Sequence, residues 1–529
     1  MSARTTTSEA ATRSSLDRAM LVTIAFPDLV LRLADRAISV PWSTSADGEP
    51  LFFYSGLLDV PEIEQAIDRF GGGAVSSLSL SLSFSGDTID VAGLMSTDRW
   101  PQAARVEVAL VWPDQDFTAR TVVLADARCS RFAAYPDSGA VSMEVAREDE
   151  AESAYIGDDT NTIGSLTSLL PTYDQGLLDA TMSPQVLGRV RHVPAIRLNY
   201  GTIHDYLLIA GHPIDSTQSI TIEEDGQAIS AGATTYDAPP IVAATNTKIE
   251  GNKGSGSVGG ATWDPDAVSD PTHFPGGLTV SVMTGKRDRG RTILGLGRLL
   301  EYLLRQSGVP VDWGRMRRAI RMGDGWDVGL YVDKQVQALE LVRSRLLPTS
   351  PLTEQRSENG IWYAWADPTN ERPAAHLVEG QHWHRSGPRS SVAIDARNDF
   401  TMRFRYHYYY ERYMSVARIN RYNSAVCAHS WSTFGTRPAE PIEATHIYRP
   451  ATAWASLRWI ARQRALPRST VEGLLDPSLY WLDAGDPILL TDAALGIDAR
   501  LAVVASRNTA NPAACTFEII EQLPSQRSA

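Results

Sequence analysis

The sequence has few cysteines and no long apolar run at its start. Its 529 residues include only three cysteines, Cys129, Cys427 and Cys515, which lie far apart. Their number and spacing fit neither a disulfide framework nor a zinc site, and such sparse thiols are typical of the reducing cytosol. The first residues are rich in Ser and Thr, so they resemble neither a secretory signal nor a membrane span. We predict that residues 1–18 form a flexible arm.

The chain also lacks an excess of positive charge. Its 49 Lys and Arg residues are outnumbered by 62 Asp and Glu residues, which gives a net charge of −13. General binding to nucleic acid or to membrane surfaces favours a basic chain, so we expect neither. The charges are distributed unevenly: residues 286–321 hold ten basic and three acidic side chains, whereas residues 148–159 hold only acidic ones.

The bulk composition is that of a folded protein. Hydrophobic residues make up 43% of the chain and charged residues 21%, both close to ordinary globular values. The length is sufficient for three or four domains, so we expect several packed cores.

The first block, residues 19–150, is dominated by strand-like alternation. Apolar side chains alternate with serines from Ser77 to Ser85, and similar patterns occur at 106–112 and 141–145. Because successive side chains of a strand point to opposite faces, each pattern predicts a strand with one apolar face. Several such strands at short spacing favour an antiparallel sandwich or barrel.

Two intermediate regions follow. In residues 151–284 we predict short strands at 195–198, 206–209 and 219–222, a hairpin turn at 224–226 and a long loop at 251–277. In residues 285–396 the apolar spacing predicts one helix from a Thr292 cap to Gln306, ended by Gly308, and a second from Lys334 to Leu347, closed by Pro348. A strand is predicted at 361–366.

The last block, residues 397–529, returns to strands. We predict that Phe400, Met402, Phe404, Tyr406, Tyr408 and Tyr410 line one face of a strand, with Arg403, Arg405 and His407 on the other. A helix is predicted at 451–463, ended by Leu466-Pro467, and further strands at 479–482, 487–491, 501–506 and 516–520.

Two glycine-rich stretches resemble phosphate-binding loops in spelling. Gly254 to Gly259 matches a dinucleotide fingerprint, but the strand and helix that this mechanism requires are missing from its flanks. Gly285 to Thr292 has the spacing of a phosphate loop between a strand and a helix, with Leu330 to Asp333 as a possible acidic strand. Arg291 stands where that loop needs lysine, and four charged residues lie between the glycines, so we favour a basic, solvated loop.

Other candidate sites are weaker. His382 and His384 could form a metal pair, but no third ligand is marked by spacing, and Asp264, Asp266 and Asp270 lack the pattern of a calcium loop. Cys427 and His429 lack an orienting third group. The arginines of 315–321 fit the wet face of a short helix, and the aromatic strand fits sheet core better than a sugar platform. We therefore assign no catalytic, cofactor-binding or metal-binding residue and expect no enzyme.

Three stretches together resemble the tail hub proteins of tailed bacteriophages and gene transfer agents. The first is Phe53-Tyr54-Ser55-Gly56-Leu57-Leu58 with the Ser/Leu strand after it. The second runs from Thr292 through Ser307-Gly308-Val309-Pro310-Val311-Asp312 to Leu346-Leu347-Pro348. The third comprises Tyr480-Trp481-Leu482-Asp483-Ala484-Gly485-Asp486, Thr491-Asp492 and Leu495-Gly496-Ile497, followed by the closing strands.

This resemblance implies a mainly β, multidomain protein with α+β insertions, in which two tail-tube-like β-barrel domains flank intermediate peripheral domains. Three subunits would form a ring that adapts a sixfold tail tube to a threefold tip and surrounds the DNA channel. The implied partners are two further copies of the chain, a distal tail or tube protein above, a tip or fibre protein below, and a tape measure protein and DNA in the lumen. The implied location is the virion tail tip, after synthesis in the host cytoplasm.

Two alternatives remain open at this point. A receptor-binding or carbohydrate-degrading tip protein would use the 13 tryptophans, the tyrosine-rich strand and scattered carboxylates. A nucleotide-dependent assembly factor would use Gly285 to Thr292.

Overall fold

The chain folds mainly into β-strands, with helices concentrated in its middle and its final third. A computed structural model describes the following residues: 19–26, 29–43, 49–55, 57–59, 65–66, 80–85, 104–112, 115–135, 140–146, 154–156, 162, 182–194, 196–197, 204–208, 220–224, 227–228, 250–252, 278–282, 286–289, 291–357, 360–365, 372–392, 396–408, 410–479, 481–482, 484–508 and 513–520. The predicted arm and most of the 251–277 stretch therefore lie outside the described residues.

The first block forms one nine-stranded, largely antiparallel sheet in the order β3-β4-β2-β1-β8-β9-β10-β7-β5. Its strands, together with the short β6, are β1 (Ala19–Ala25), β2 (Val30–Ala34), β3 (Ile38–Val40), β4 (Leu51–Ser55), β5 (Leu57–Asp59), β6 (Gln65–Ala66), β7 (Leu80–Ser85), β8 (Arg105–Val111), β9 (Thr121–Tyr135) and β10 (Ala140–Ala146).

The centre of this sheet is covered on both faces. Met20, Val22 and Ile24 of β1 pack into one core, whereas Ala19 and Leu21 pack into a second core on the opposite face. The nearly continuous apolar run of β1 is the sequence signature of such double burial. The prediction of an antiparallel β block is confirmed. Within the described strands the sheet is an open half-barrel ending at β3 and β5, so a closed ring of strands is not part of the fold as described.

The second region contributes short strands, and its predicted strands and hairpin are confirmed. They are β11 (Tyr155–Ile156), β12 (Gln185–Gly188), β13 (Val190–Pro194), β14 (Ile196–Arg197), β15 (His204–Leu208), β16 (Ile220–Glu224), β17 (Gln227–Ala228), β18 (Glu250–Asn252) and β19 (Leu278–Val282). Strand β19 pairs antiparallel with both β13 and β16, and β16 pairs antiparallel with β17 through Glu224 and Gln227, on either side of the predicted turn.

The third region combines short strands with helices. The strands are β20 (Arg287–Asp288), β21 (Arg291–Thr292), β22 (Gly329–Val332), β23 (Val336–Gln337), β24 (Leu352–Ser357) and β25 (Gly360–Trp365), and the helices are α1 (Gly295–Gln306), α2 (Trp313–Gly323) and α3 (Ala338–Leu341). The predicted strand at 361–366 is confirmed as β25, and the arginines of 315–321 lie on α2 as predicted.

Helix α1 begins two residues later than predicted. Thr292 is paired with Arg287 in the β20–β21 hairpin, so it is committed to a strand and the N-cap position falls on Leu294. The predicted apolar stripe is confirmed, since Leu296, Leu299, Leu300 and Leu303 are fully buried. The helix ends at Gln306, just before Gly308, which adopts a positive φ of 71°.

The predicted helix from Lys334 to Leu347 is wrong in its first turn and irregular afterwards. Residues 336–337 are extended because they pair with Tyr155 and Ile156 of β11. The chain then passes from α3 into a π-helical turn, Val342–Leu346, and a 3-10 turn that contains Pro348. Leu339, Val342 and Leu346 nevertheless face the core as predicted.

The last strands and helices are divided between two packing units. The strands are β26 (Ala375–Val378), β27 (Trp383–Val392), β28 (Phe400–His407), β29 (Arg412–Ile419), β30 (Ile442–Ala444), β31 (Arg468–Leu475), β32 (Pro487–Asp492), β33 (Ile497–Arg507) and β34 (Ala513–Ile519), and the helices are α4 (Ala425–Phe434) and α5 (Pro450–Arg464). Strands β28 to β30 and helix α5 pack with α1 and α2 in one large central core. The other six strands form a sheet in the order β26-β32-β33-β34-β31-β27 with its own core.

Most of the predicted elements of this block are confirmed, including the helix ended by Leu466-Pro467. The predicted strand at 479–482 is wrong where it is described, because Pro477–Leu479 form a 3-10 turn. Asp492 closes the β32–β33 connection, since its side chain accepts hydrogen bonds from the backbone N–H groups of Ala494 and Leu495.

The faces of the aromatic strand β28 are partly as predicted. Phe400, Met402 and Phe404 are buried, but so is His407, which we predicted on the opposite, polar face. Arg405 has a positive φ of 57°, and this left-handed residue breaks the alternation of the strand. The side chains after Arg405 therefore no longer follow the period-2 pattern.

A buried histidine in the central core makes the fold sensitive to acid. His446 is fully buried, its Nε2 lies 2.7 Å from the Thr349 hydroxyl, and burial, aided by the charge of Arg345, lowers its pKa to about 3. Its ring thus stays neutral in the folded state while an unfolded chain takes up a proton below pH 6.5. The neutral, buried His446 therefore contributes to the unfolding free energy above pH 6.5. This contribution is lost as the pH falls from 6.5 toward the pKa of the folded state.

We expect His446→Gln to reduce this acid dependence. Between pH 7 and pH 5 the wild-type protein should lose about 2 kcal/mol more unfolding free energy than the variant, from about 1.36 kcal/mol per pH unit below 6.5. Urea unfolding at both pH values measures the difference. His384→Gln, at an exposed histidine, is the matched control. Equal pH dependence of H446Q and wild type would contradict the prediction.

Candidate functional site

The segment that resembles a phosphate loop forms a hairpin. Strands β20 and β21 pair antiparallel between β19 and α1, and the backbone N–H of Ile293 donates to the carbonyl of Lys286 at 2.9 Å. The preceding strand β19 lies in an antiparallel sheet, and β22, the candidate acidic strand, pairs with β12 and not with β19. A phosphate loop instead needs a parallel strand followed directly by a helix, so this segment differs from that site.

A charged cavity lies between the hairpin and α1. It has a volume of about 310 Å³. Its lining is formed by Asp288, Arg289, Arg291, Thr292, Ile293, Arg298, Glu301 and Arg305. The hairpin supplies the first five residues and one face of α1 supplies the last three, because residues three or four apart share a helix face. We call this cavity the arginine pocket.

The helix side of the arginine pocket is organised by one carboxylate. Glu301 accepts a hydrogen bond from Arg298 at 2.8 Å and another from Arg305. Arg305 also lies 3.6 Å from Asp288 on the hairpin, and Arg298 lies 3.8 Å from Asp324. These pairs hold two guanidinium groups over the cavity.

Lys286 lies at the base of the hairpin, and its side chain does not line the arginine pocket. Its ammonium group lies 3.2 Å from the Gln185 side-chain oxygen and 5.2 Å from the centre of the Tyr302 ring. Burial lowers the pKa of Lys286 and raises that of Tyr302 to about 12. The sequence grouped Lys286 with the arginines, but the fold separates it from them.

The other sequence candidates are not brought together. The His382 Nδ1 accepts from the backbone N–H of Val378 at 3.1 Å, while His384 is exposed on β27. Cys427 is buried on α4, and burial raises its pKa, which disfavours a reactive thiolate. In the described part of the chain, no group of three His, Cys, Asp or Glu side chains could hold a metal ion. Gly254 to Gly259 and the aspartates 264, 266 and 270 lie outside the described residues.

The tyrosines of the aromatic strand pack on one another. Tyr331, Tyr406, Tyr408 and Tyr413 form a chain of edge contacts with ring centres 5.0 to 5.1 Å apart. Burial raises the pKa of all four. Edge-to-face contacts of this kind use the ring surfaces within the fold, which agrees with the interpretation of the strand as core.

An exposed aromatic group follows β29 in the chain and was not predicted from the sequence. Arg421 stacks between Tyr422 and Trp431, with its guanidinium carbon 4.6 Å and 4.1 Å from the two ring centres. Tyr422 is 79% exposed and Trp431 38%. Trp, Tyr and Arg are the residues that most often dominate protein interfaces.

The two end blocks touch each other. Strand β6, from the first block, pairs with the end of β33 in the last sheet through Ala66–Ser506 and Gln65–Arg507. Arg507 is buried there and donates to the carbonyl of Leu482. This strand pairing joins regions that are more than 400 residues apart in sequence.

Comparison with known proteins gives no sequence-level match, neither to a protein family nor to a curated protein. Among solved structures, the chain is similar to the 43 kDa tail protein of prophage MuSo2 from Shewanella oneidensis, with 8% identity, 95% of this chain and 98% of that chain covered, and a TM-score of 0.40. It is similar to the prophage tail protein gp18 from Listeria monocytogenes EGD-e, with 8% identity, 94% of each chain covered and a TM-score of 0.39.

A third similar chain comes from the virion of a native gene transfer agent particle, with 13% identity, 68% of this chain and 87% of that chain covered, and a TM-score of 0.40. All three similar chains are thus tail or virion components. At these identities and TM-scores the similarity carries no argument about function. Separately, none of the helices in the described ranges is both long and apolar enough to cross a bilayer.

Proposed function

We propose that this protein is a structural component of a phage-type tail, in which three copies form the hub between the tail tube and the tip. The observation that carries the proposal is the presence of two separate β-sheets in one chain, one in each end block. The first sheet has a hydrophobic core on each face and the last sheet has a core of its own, while the two-residue strand β6 of the first block pairs with β33 of the last sheet. One chain thus presents two β units, as an adaptor from threefold to sixfold symmetry requires.

The open edges of the sheets support association. In the described strands the first sheet ends at β3 and β5 and the last at β26 and β27. Unpaired edges are prone to pair with other chains, so a stable protein covers or closes them. In the proposed ring, β1 to β5 and β7 to β10 form one barrel-like unit. Strands β6, β26, β27 and β31 to β34 form the other, and neighbouring units cover each other's edges.

The central core would then lie at the periphery of the ring. It carries the exposed Tyr422, Arg421 and Trp431 group and the arginine pocket. The proposed neighbours are a distal tail or tube protein above the ring, a tip or fibre protein below it, and a tape measure protein and DNA in the channel. The role is structural, without catalysis, at the tail tip of the virion.

The oligomeric state tests this proposal. Light scattering on the purified full-length chain should give about 173 kDa, three times the mass of 57.8 kDa. Electron microscopy should show threefold rings with six similar β units around a channel. A monomer at the highest soluble concentration, or a closed dimer, would contradict the hub.

A further inference from the structure

We infer that the arginine pocket is a binding site for a phosphate dianion. The function proposed above does not use it, and it belongs to the central core rather than to the sheets of the ring. The cavity volume of about 310 Å³ is at the lower end of the range for small-molecule sites. The proposal rests on the charges that line it and on how they are held.

Two arginines of the pocket are available to a ligand. Arg289 and Arg291 are exposed at the turn of the hairpin, and neither has an ion-pair partner within the described residues. Arg289 has a positive φ of 49°. A positive φ is uncommon for arginine. Because the residue lies in the hairpin, the pairing of the two strands fixes the position of its Cα and Cβ atoms.

The two arginines on α1 keep donors to spare. A guanidinium group carries five N–H donors, and Glu301 takes one from Arg298 and one from Arg305. The single carboxylate therefore positions both groups without saturating them. Planar guanidinium groups match phosphate oxygens in pairs, which a lysine cannot do.

The charge count selects the class of ligand. Four arginines and two carboxylates line the cavity, which leaves an excess of two positive charges. In a chain of net charge −13, such a local excess gives a positive potential that attracts anions. A phosphate monoester or inorganic phosphate at neutral pH carries nearly two negative charges and would balance it, whereas a monocarboxylate would balance only half.

The frame of the site is rigid. Helix α1 is anchored by eight buried residues, and the backbone N–H of Lys286 donates to the carbonyl of Val186 at 2.9 Å. Because a preformed pocket loses little conformational entropy on binding, most of the free energy of the arginine contacts contributes to affinity.

Titration calorimetry of the full-length protein with inorganic phosphate at pH 8 and constant ionic strength tests the site. Wild-type protein should bind phosphate and bind acetate at least about tenfold more weakly. R289A/R291A should lower the phosphate affinity by about tenfold or more, because two charge-assisted contacts are lost. The matched control R317A/R321A, which removes two exposed arginines from α2 outside the pocket, should keep wild-type affinity.

A gain-of-binding variant sharpens the test. Glu301→Gln removes one negative charge from the lining, while the amide oxygen can still accept a hydrogen bond from an arginine. E301Q should therefore bind phosphate several-fold more tightly than wild type, with its fold checked by circular dichroism. Glycerol 2-phosphate and a nucleoside diphosphate, titrated in parallel, identify whether a free phosphate, a simple monoester or a nucleotide is preferred. Absent phosphate binding, or equal loss in R289A/R291A and R317A/R321A, would overturn the inference, and neither result bears on whether the chain is a trimer.

Discussion

Arg343→Ala is expected to lower the unfolding free energy of the central core by about 3–5 kcal/mol, the usual cost of removing one partner from a buried ion pair. Arg343 donates to both carboxylate oxygens of Glu354, at 2.9 and 2.6 Å. The Tyr363 hydroxyl donates to the same carboxylate at 2.8 Å. The Glu354 side chain is only 2% exposed, so without Arg343 its charge would remain buried with one hydroxyl as partner.

Urea unfolding followed by tryptophan fluorescence measures this loss. Arg317→Ala, at an exposed position of α2, is the control and should change stability by less than about 0.5 kcal/mol. The double variant R343M/E354L should be more stable than R343A, because it removes the charge as well as its partner. If R343A and R317A had the same unfolding free energy, the Arg343–Glu354 pair would contribute nothing to the stability of the core.

The apolar spacing of the sequence was sufficient to locate many elements but not all of their ends. The leucines of α1 recur at helical spacing, so they form one apolar face of the helix whatever the helix packs against. The start of that helix is not local, because Thr292 is drawn into a hairpin with Arg287. In the same way the pairing of β23 with β11 removes the first turn of a helix whose apolar spacing is intact.

The candidate site was visible in the sequence as a concentration of charge and as the phosphate-loop spacing of Gly285 to Thr292, but not as a cavity. Residues 286–321 stood out as basic, and four of their arginines do line one cavity. The hairpin folds back over α1, and this determines which four arginines line the cavity. It also directs Lys286 away from them. The Arg343–Glu354 pair and the burial of His446 depend on tertiary contacts, so their residue types alone could not predict them. The stacking of Arg421 between Tyr422 and Trp431 likewise has no sequence pattern.

The division of residues 375–519 between two cores is also not evident from the predicted blocks. Strands β26 and β27 pair into the last sheet, while β28 to β30 and α5 pack against α1 and α2. Both parts contain β-strands with similar apolar alternation, so the sequence does not mark where one core ends and the other begins. Only the long-range pairings, such as β27 with β31 and β26 with β32, separate them.

The crossing of α1 and α2 yields the second large expected effect. Gly323 of α2 lies against the backbone of α1, since a Cβ built on it would be 2.8 Å from the Gly297 nitrogen. A Cβ on Gly297 would overlap the carbonyl oxygen of Ile320. The two helices therefore meet with backbone against backbone, which requires glycine on both sides.

Two opposing terms decide the effect of a side chain at Gly297. Helix propensity favours alanine over glycine by up to about 1 kcal/mol at an interior helical position. Overpacking against a backbone atom that cannot rotate away costs about 1–3 kcal/mol for small additions and more for larger ones. We therefore expect Gly297→Ala to be destabilising despite its better propensity, and Gly297→Val to lose about 3 kcal/mol or more.

Urea unfolding of both variants, with Gly325→Ala as the control, measures the sign and the size of the change in unfolding free energy. A Cβ on Gly325 would lie 3.9 Å from its nearest neighbour, the Met322 carbonyl oxygen, so this substitution should be close to neutral. The ordering G325A, G297A, G297V from most to least stable follows from the close approach alone. If G297A were instead more stable than wild type, propensity would dominate, and the helices would be free to separate by the width of a methyl group.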